Sequence, residues 1–532
     1  MNDLRPDAGC QIRWFVYALL LVTSVGGMIG RIWTVESSLG ETPLLSANDR
    51  SRWAAIRALV DHGTFALDDV IFLDRDQTKR DREWYSIDMV RHGSADGCEH
   101  FYSSKPPLPT VMMAIPYWCL QKLTGVTLAD RPFYVVRCLL LVANVLPLAV
   151  YFWLLFRLIE RYGRTDWGRL FVAAGAVYGT FLTTFAVTLN NHVWAAVSAV
   201  LAMAATLAVW CDGQRSLRYF VVAGLFSALT VVNELPALSF AAAVAAALAY
   251  RSVGRFLAGF VPAAAVVAAA FFLTNYWAHG SWRPPYAHRS DGPRLAAVDG
   301  NFLAEIQAGR VPQPLRQALS ESGVELSAEA TLQPRWSGQG WMIWDPERQN
   351  RLAVAADERA VQAFVWDNWY EYELSYWLET RKTGVDRGEP SRWAYAFHVL
   401  IGHHGVFSLT PIWLFSVAGA GIWLARGGPS LRTVAAAVLL LSLVCLAFYL
   451  ARPLGDRNYG GVACGFRWMF WFAPLWLLVM VPAADAIADR PAWRGVALVL
   501  LLVSVTSAAY ASLNPWSHPW LYEYWSSLGW IQ

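Results

Sequence analysis

Asp49, near the beginning of this sequence, is of a type and in a place that could do chemistry. It immediately precedes residues 50–62, whose apolar residues recur at helical spacing and predict an amphipathic helix. A carboxylate in front of a helix can cap the free N–H groups of the first turn. The same carboxylate can also act as a general base on a substrate hydroxyl. On the residue alone both interpretations stay open.

Lys105, in the segment FYSSKPPLPT, is the second such residue. It precedes two prolines, which stiffen the chain and hold it extended. A lysine on a rigid backbone near a membrane surface can bind a lipid phosphate as a point charge. The alternative is ordinary snorkelling, in which the aliphatic stem is buried and the ammonium reaches the headgroups.

Further polar residues stand at the ends of apolar blocks, where an ionisable group is costly unless it is paired or faces water. Glu234 is therefore predicted to be functional. Arg467 enters an apolar block directly and could hold a phosphate in bidentate fashion or form a salt bridge. The asparagines among these residues could cap helices or contact a substrate. The residues are Asn190, Asn191, His192, Asn233, Glu234, His403, His404, Asp456, Arg457, Tyr459 and Arg467.

The elements that would position these residues are predicted to be transmembrane helices. Hydrophobic residues make up 56% of the 532 residues and charged residues only 16%, well below the quarter or so typical of soluble chains. The apolar residues form blocks long enough to cross a bilayer as helices. About 11 spans are predicted, at roughly 14–34, 133–156, 168–189, 193–210, 218–233, 235–250, 256–277, 406–425, 432–450, 466–486 and 494–512.

The arginines between the blocks give the predicted orientation. Every second loop is short and basic, which places these loops and the N-terminus in the cytoplasm by the positive-inside rule. The candidate functional residues then face the opposite side, outside a bacterial inner membrane. The first block is expected to be retained as an anchor, because no A-x-A cleavage site follows it. The arginines are Arg5, Arg13, Arg157, Arg161, Arg164, Arg169, Arg215, Arg218, Arg251, Arg255, Arg426, Arg432, Arg490 and Arg494.

Two long loops are predicted on that outer side. The first, 36–132, includes residues 107–122, which are apolar but short and proline-containing and are expected to form an interfacial helix. The second, 278–392, is too long for a structureless loop and is expected to fold into a small cap. The predicted organisation is an N-terminal transmembrane module (1–277), the cap and a C-terminal transmembrane module (393–532).

The pairing of Asp49 with a KPP motif about 55 residues later resembles the GT-C glycosyltransferases. Within them the chain looks most like the branch of the protein O-mannosyltransferases and the bacterial lipid A aminoarabinose transferase. The matching residues are Asp49 with RSRWAAIRALVDHGTF, and Tyr102 with SSKPP. The resemblance implies an all-α polytopic fold, a catalytic role for Asp49 and contact of Lys105 with a polyprenyl-phosphate sugar. Relatives often carry acids where this chain has Asn48 and Ser104.

The chemistry implied is inverting transfer of a sugar, by single displacement, from a polyprenyl-phosphate donor to a lipid, glycan or protein acceptor. Asp49 would act as base, and Lys105, Arg467 and Tyr102 would bind the donor phosphate. Asn190, His192, Glu234, His403 and His404 would line the substrate pocket. No cofactor is required by this scheme, no metal ligand is assigned, and a divalent metal stays open.

Other classes make different demands on the sequence. A transporter or lipid flippase would favour charged residues near mid-membrane, broken helices and internal repeats. A non-catalytic lipid-binding protein would retain the first loop and the KPP motif but would not catalyse a reaction. The net charge of +3 does not favour nucleic acid, and the seven cysteines show no CxxC or zinc spacing.

Overall fold

The computed structural model describes residues 8–94 and 96–531, and Arg5 lies outside them. Over these residues the chain is mostly helical, as predicted. The helices are α1 (Ala8–Thr34), α2 (Ala47–Arg57), α3 (Asp68–Ile71), α4 (Pro107–Thr124), α5 (Pro132–Leu140), α6 (Leu146–Tyr162), α7 (Asp166–Tyr178), α8 (Asn191–Trp210), α9 (Leu217–Asn233), α10 (Leu238–Arg251), α11 (Val253–Arg255), α12 (Val261–His279), α13 (Leu303–Gln307), α14 (Gln313–Glu321), α15 (Arg392–Leu400), α16 (Val406–Leu409), α17 (Trp413–Arg426), α18 (Pro429–Leu450), α19 (Ala473–Ala486), α20 (Pro491–Tyr510) and α21 (Trp520–Ser527).

Seven helical stretches of the described chain are long and apolar enough to cross a membrane. Two shorter apolar helices, Leu217–Asn233 and Leu235–Arg251, coincide with two more of the predicted spans. The predicted total of about 11 and the interfacial position of α4 stay predictions. The seven stretches are Gly9–Thr34, Pro132–Tyr162, Asn191–Trp210, Val253–His279, Pro429–Leu450, Arg467–Ala486 and Pro491–Tyr510.

The described chain divides into two compact units. We call residues 8–49, 115–271 and 384–531 the helical unit, and residues 50–94, 96–114 and 272–383 the mixed unit. In the helical unit, α17 and α19 pack so closely that a Cβ on Gly419 would lie 2.0 Å from the carbonyl oxygen of Val479. Only glycine allows that approach, so Gly419 fixes how these two helices meet.

The predicted span 168–189 is helical only as far as Tyr178. Residues 179–190 are buried and not α-helical, apart from a short 3-10 turn at Thr184–Val187. Buried backbone groups need partners, and side chains supply them. Asn144 Nδ2 donates to the carbonyls of Ala186 (3.0 Å) and Thr188 (2.8 Å). The helix therefore ends at Tyr178, and the non-helical segment that follows leads to the candidate residues Asn190 and His192.

The mixed unit carries the strands, which the expectation of an all-α chain did not include. In the first loop, β1 (Met89–Gly93) and β2 (Glu99–Ser103) form an antiparallel hairpin. In the second, β3 (Arg294–Asp299), β4 (Thr331–Pro334), β5 (Trp341–Asp345), β6 (Asn350–Ala356) and β7 (Ala360–Val365) form an antiparallel sheet in the order β3-β7-β6-β5-β4. The strands are only four to seven residues long, too short to stand out beside the apolar blocks.

The five-stranded sheet has a hydrophobic core of its own. The amphipathic helix α14 buries Leu315 and Leu319, one turn apart, in a cluster with sheet residues such as Ile343 and Val354. Segment 278–392 thus contains this sheet and its core. Its role as a cap stays a prediction.

Candidate functional site

Asp49 lies inside the first turn of α2, not directly before the helix, because α2 begins at Ala47. Ser46 is the residue that accepts from the helix terminus, with its Oγ 3.1 Å from the amide nitrogen of Asp49. The Asp49 carboxylate instead accepts the backbone N–H groups of Leu189 (3.1 Å, Oδ1) and Leu45 (3.3 Å, Oδ2). Its residue is only 1% exposed. Asp49 is therefore tied to the non-helical segment that ends at Asn190.

Asn190 has the geometry of the capping interpretation. Its Oδ1 accepts the N–H of Val193 at 2.9 Å, and its Nδ2 donates to the carbonyls of Phe185 and Thr188, each at 2.8 Å. The side chain therefore fixes both the start of α8 and the end of segment 179–190. A direct contact of Asn190 with substrate stays a prediction.

Glu234 is buried where α9 ends, and two residues of α8 meet its carboxylate. Its Oε1 lies 2.5 Å from His192 Nδ1 and 2.7 Å from Asn191 Nδ2. His192 and Glu234 are 1% and 5% exposed. The ionisable group at this span edge is thus paired, as its cost in a membrane requires.

Arg467 completes this network from a distant part of the chain. Its Nη1 lies 2.8 Å from His192 Nε2, and its Nε donates to the carbonyl of Gly460 at 2.7 Å. An arginine can only donate, so His192 Nε2 must accept and Nδ1 must carry the ring proton. Nδ1 then donates to Glu234. The hydrogen bonds assign a neutral His192 that connects a carboxylate to a guanidinium.

We call Asp49, Asn190, His192, Glu234 and Arg467 the polar network of the helical unit. Asp49 reaches the other members through the backbone N–H of Leu189, which precedes Asn190, and Asn191 adds a second bond to Glu234. The contact of His192 with Arg467 joins residues 275 positions apart in sequence. The Arg467 guanidinium carbon also lies 4.8 Å from the ring centre of Trp516. The network combines a carboxylate, a cation and aromatic surface, the groups that sugar transfer from a phosphate requires.

His403 and His404 belong to a neighbouring cluster of aromatic rings. His403 stacks on His398 at 3.9 Å and His404 on Tyr459 at 4.3 Å between ring centres. Burial, assisted by His398 and His518, lowers the pKa of His403 to about 3. The two histidines are therefore neutral and pack against other rings. The cluster lies next to the polar network, because Tyr459 directly precedes the Gly460 that Arg467 contacts. Their substrate contact stays a prediction.

Lys105 lies in the mixed unit beside an acid that the sequence analysis missed. Its Nζ is 2.9 Å from Asp88 Oδ2, and the two side chains are 18% and 13% exposed. The Asp96–Gly97 pair, a hairpin turn signal between two short extended runs, could have revealed this neighbour. A hairpin closed at that turn places residue 88 beside residue 104.

Tyr102 is buried in a column of rings in the same unit. It stacks on His92 at 4.2 Å, His92 lies 4.1 Å from Trp369, and Trp369 stacks on His288 at 3.5 Å. This placement makes Tyr102 part of the packing between β2 and the second loop. Its predicted contact with a donor phosphate stays a prediction.

Across residues 8–94 and 96–531, no three His, Cys, Asp or Glu side chains are grouped so that they could hold a metal ion. The carboxylates near Lys105 and in the polar network are therefore not grouped as the ligands of a resident divalent metal would be.

Comparisons with known proteins gave likeness to solved structures alone. No family model matches the chain, and no curated protein matches it significantly. The archaeal oligosaccharyltransferase AglB from Archaeoglobus fulgidus, in complex with an inhibitory peptide and a dolichol-phosphate, is similar with a TM-score of 0.43 and 12% identity. The apo oligosaccharyltransferase of Archaeoglobus fulgidus gives 0.41 and 12%. The matches cover 97% of this chain but only 58% and 57% of the archaeal chains, less than two thirds of their length.

Proposed function

We propose that the chain is a membrane glycosyltransferase that moves a sugar from a polyprenyl-phosphate donor to an acceptor on the extracytoplasmic face. The observation that carries the proposal is the polar network of the helical unit. In it the buried Asp49 bonds to the backbone of Leu189, and His192, three residues further along the chain, bonds to an oriented Arg467. The resemblance, which shares Asp49 with the network and adds the KPP motif, implies the same chemistry.

The proposed reaction is a single displacement with inversion at the anomeric carbon. The acceptor oxygen forms a bond to that carbon while its proton passes to the Asp49 carboxylate. The bond from the anomeric carbon to the phosphate oxygen breaks, and polyprenyl phosphate leaves with the electron pair. Arg467 stabilises the charge that develops on the phosphate, and Lys105 keeps the phosphate-binding role that the resemblance implies.

The other residues of the network orient the arginine and the chain around it. His192 and Glu234 hold the guanidinium in one plane, because each hydrogen bond fixes the next. Asn190 holds the backbone segment to which Asp49 is bonded. The proposed donor is a polyprenyl-phosphate sugar in the outer half of a bacterial inner membrane. The N-terminus of the protein is proposed to lie in the cytoplasm.

The experiment that tests the proposal supplies purified protein with a panel of polyprenyl-phosphate sugars and measures release of polyprenyl phosphate. Wild-type protein is expected to release it from at least one donor, and Asp49→Asn to lose about 10²-fold or more in kcat. Lys105→Ala is expected to raise KM for the same donor. The exposed Asp76, in the same loop, gives the matched control Asp76→Asn.

Unchanged turnover in both Asp49→Asn and Lys105→Ala would contradict the assigned roles. Absence of release from every donor would contradict the transferase itself.

A transporter is the second candidate, and one observation favours it. The break in the buried chain at 179–190 is the kind of discontinuous helix found at transport sites. The two functions separate in detergent solution, where a transferase still cleaves its donor and a transporter has no gradient or compartment to serve. Release of polyprenyl phosphate in detergent therefore supports the transferase, and flipping of an intact donor in sealed vesicles supports the transporter.

A further inference from the structure

The ion pair between Asp88 and Lys105 points to a role for Asp88. Asp88 belongs neither to the KPP motif nor to the polar network. We infer that Asp88 is a positioning residue, whose carboxylate orients the Lys105 ammonium toward the donor phosphate. The inference rests on the proposed function, because it supposes that Lys105 contacts that phosphate. Asp88 itself touches the lysine, not the substrate.

The backbone around the pair is fixed by buried hydrogen bonds. The hairpin register pairs Met89 with Ser103, and the N–H of Ser104 donates to the Asp88 carbonyl at 3.1 Å. Ser51 of α2, fully buried, also donates to that carbonyl at 2.6 Å and lies 2.7 Å from Ser103 Oγ. Asp88 and the residue before Lys105 are therefore held at a set distance.

The lysine side chain is the one flexible part of this arrangement. Its four-carbon stem has many rotamers, and ordering them on substrate binding would cost affinity. A carboxylate 2.9 Å from Nζ selects the rotamers that keep the ammonium over the hairpin. An ammonium carries three donors, so it can contact a carboxylate and a phosphate oxygen at the same time.

A purely structural salt bridge would leave a different trace. If the pair only stabilised the hairpin, removing the Asp88 charge would lower thermal stability and reduce the amount of active protein. The KM of the remaining active protein would not change. If Asp88 orients Lys105, KM for the lipid donor rises while kcat and thermal stability change little.

The test compares Asp88→Asn, which keeps the shape and removes the charge, with Asp88→Glu, which keeps the charge. We expect D88N to raise KM for the polyprenyl-phosphate sugar by about tenfold, the value of one charge-assisted hydrogen bond. D88E should have a KM close to that of wild type, and the exposed control D76N should have the wild-type KM. Thermal unfolding of each variant is measured in parallel.

A wild-type KM in D88N overturns the inference, as does a D88E variant no better than D88N. If D88N does not accumulate, D88E is compared with D88Q, which share their shape and differ in charge, and equal KM values overturn it. If wild-type protein turns over no donor, the proposed function fails instead. Direct binding of polyprenyl phosphate in lipid nanodiscs then decides the inference: about tenfold weaker binding in D88N supports it, and equal binding overturns it.

Discussion

The polar network of the helical unit and the Asp88–Lys105 pair of the mixed unit each hold a cation by means of a carboxylate. In the first, a neutral histidine stands between Glu234 and Arg467. In the second, Asp88 contacts Lys105 directly at 2.9 Å. The difference follows from the cations themselves. A guanidinium is planar and always charged, so it needs only orientation, whereas an ammonium on a flexible stem needs a partner that also limits its rotamers.

The comparison is tested most severely by removing the arginine. Arg467→Ala is expected to lower kcat about 10²- to 10³-fold, because one preorganised donor to the developing phosphate charge is lost. Arg467→Lys should recover little, since an ammonium cannot reach both His192 and Gly460 in the fork geometry of a guanidinium. Steady-state release of polyprenyl phosphate measures both variants.

The matched control for this prediction is Arg348→Ala, which removes an arginine paired with Glu325 on the surface. It should leave turnover unchanged, because an exposed ion pair is worth little. Equal kcat in wild type and R467A would mean that the network orients a cation that takes no part in the reaction.

Replacing the histidine separates orientation from charge. His192→Leu should lower kcat about tenfold to a hundredfold, because it leaves Glu234 and Arg467 without the group that joins them. His192→Gln can still donate to Glu234 and accept from Arg467, since an amide has both functions. It should therefore keep more activity than H192L. If H192Q and H192L are equally impaired, the ring itself, not its two hydrogen bonds, is what the site requires.

These residues also show what the sequence could and could not predict. Hydropathy located spans such as 193–210 and 432–450 because a helix must match the bilayer, and the structure has Asn191–Trp210 and Pro429–Leu450 there. Hydropathy did not show that the helix in span 168–189 ends at Tyr178. The backbone after Tyr178 is stabilised by Asn144, which lies in a different part of the chain. Asp49 could be identified as a candidate catalytic residue from its carboxylate and from the KPP motif about 55 residues later. The bond between His192 and Arg467 joins residues 275 positions apart, and no local pattern contains it.

Two histidines, one in each unit, are expected to respond to pH in opposite directions. In the helical unit, burial lowers the pKa of His403 to about 3, below its unfolded value near 6.5. The stability it contributes is present above about pH 6.5 and is lost as pH falls toward 3, because the unfolded state binds the proton first. In the mixed unit, burial acts to lower the pKa of His100, but Asp96 and Asp68 outweigh it and raise the pKa.

His100 therefore stabilises the fold below about pH 6.5, and its contribution is lost as pH rises through its raised pKa. Hydrogen exchange between pH 5 and 8 should show faster opening around 398–404 at the acidic end and around 96–101 at the alkaline end. His100→Gln should remove the second response and leave the first. Parallel pH responses of the two segments would contradict the contrast.

The smallest expected effect concerns a third cation, which the mixed unit holds without a predicted part in the reaction. Arg351 lies between the rings of Trp336 and Trp344, 4.8 and 4.9 Å from their centres, and its Nη2 is 2.9 Å from Glu99. Trp344→Leu should lower the free energy of unfolding of the sheet by about 1 kcal/mol, the value of one partly buried cation–π contact. Trp344→Phe should lose less, because a ring remains. Turnover should be unchanged in both, since Arg351 is fixed for packing alone. A fall in kcat without a fall in stability would mean that Arg351, held by two rings and by Glu99, also serves the reaction.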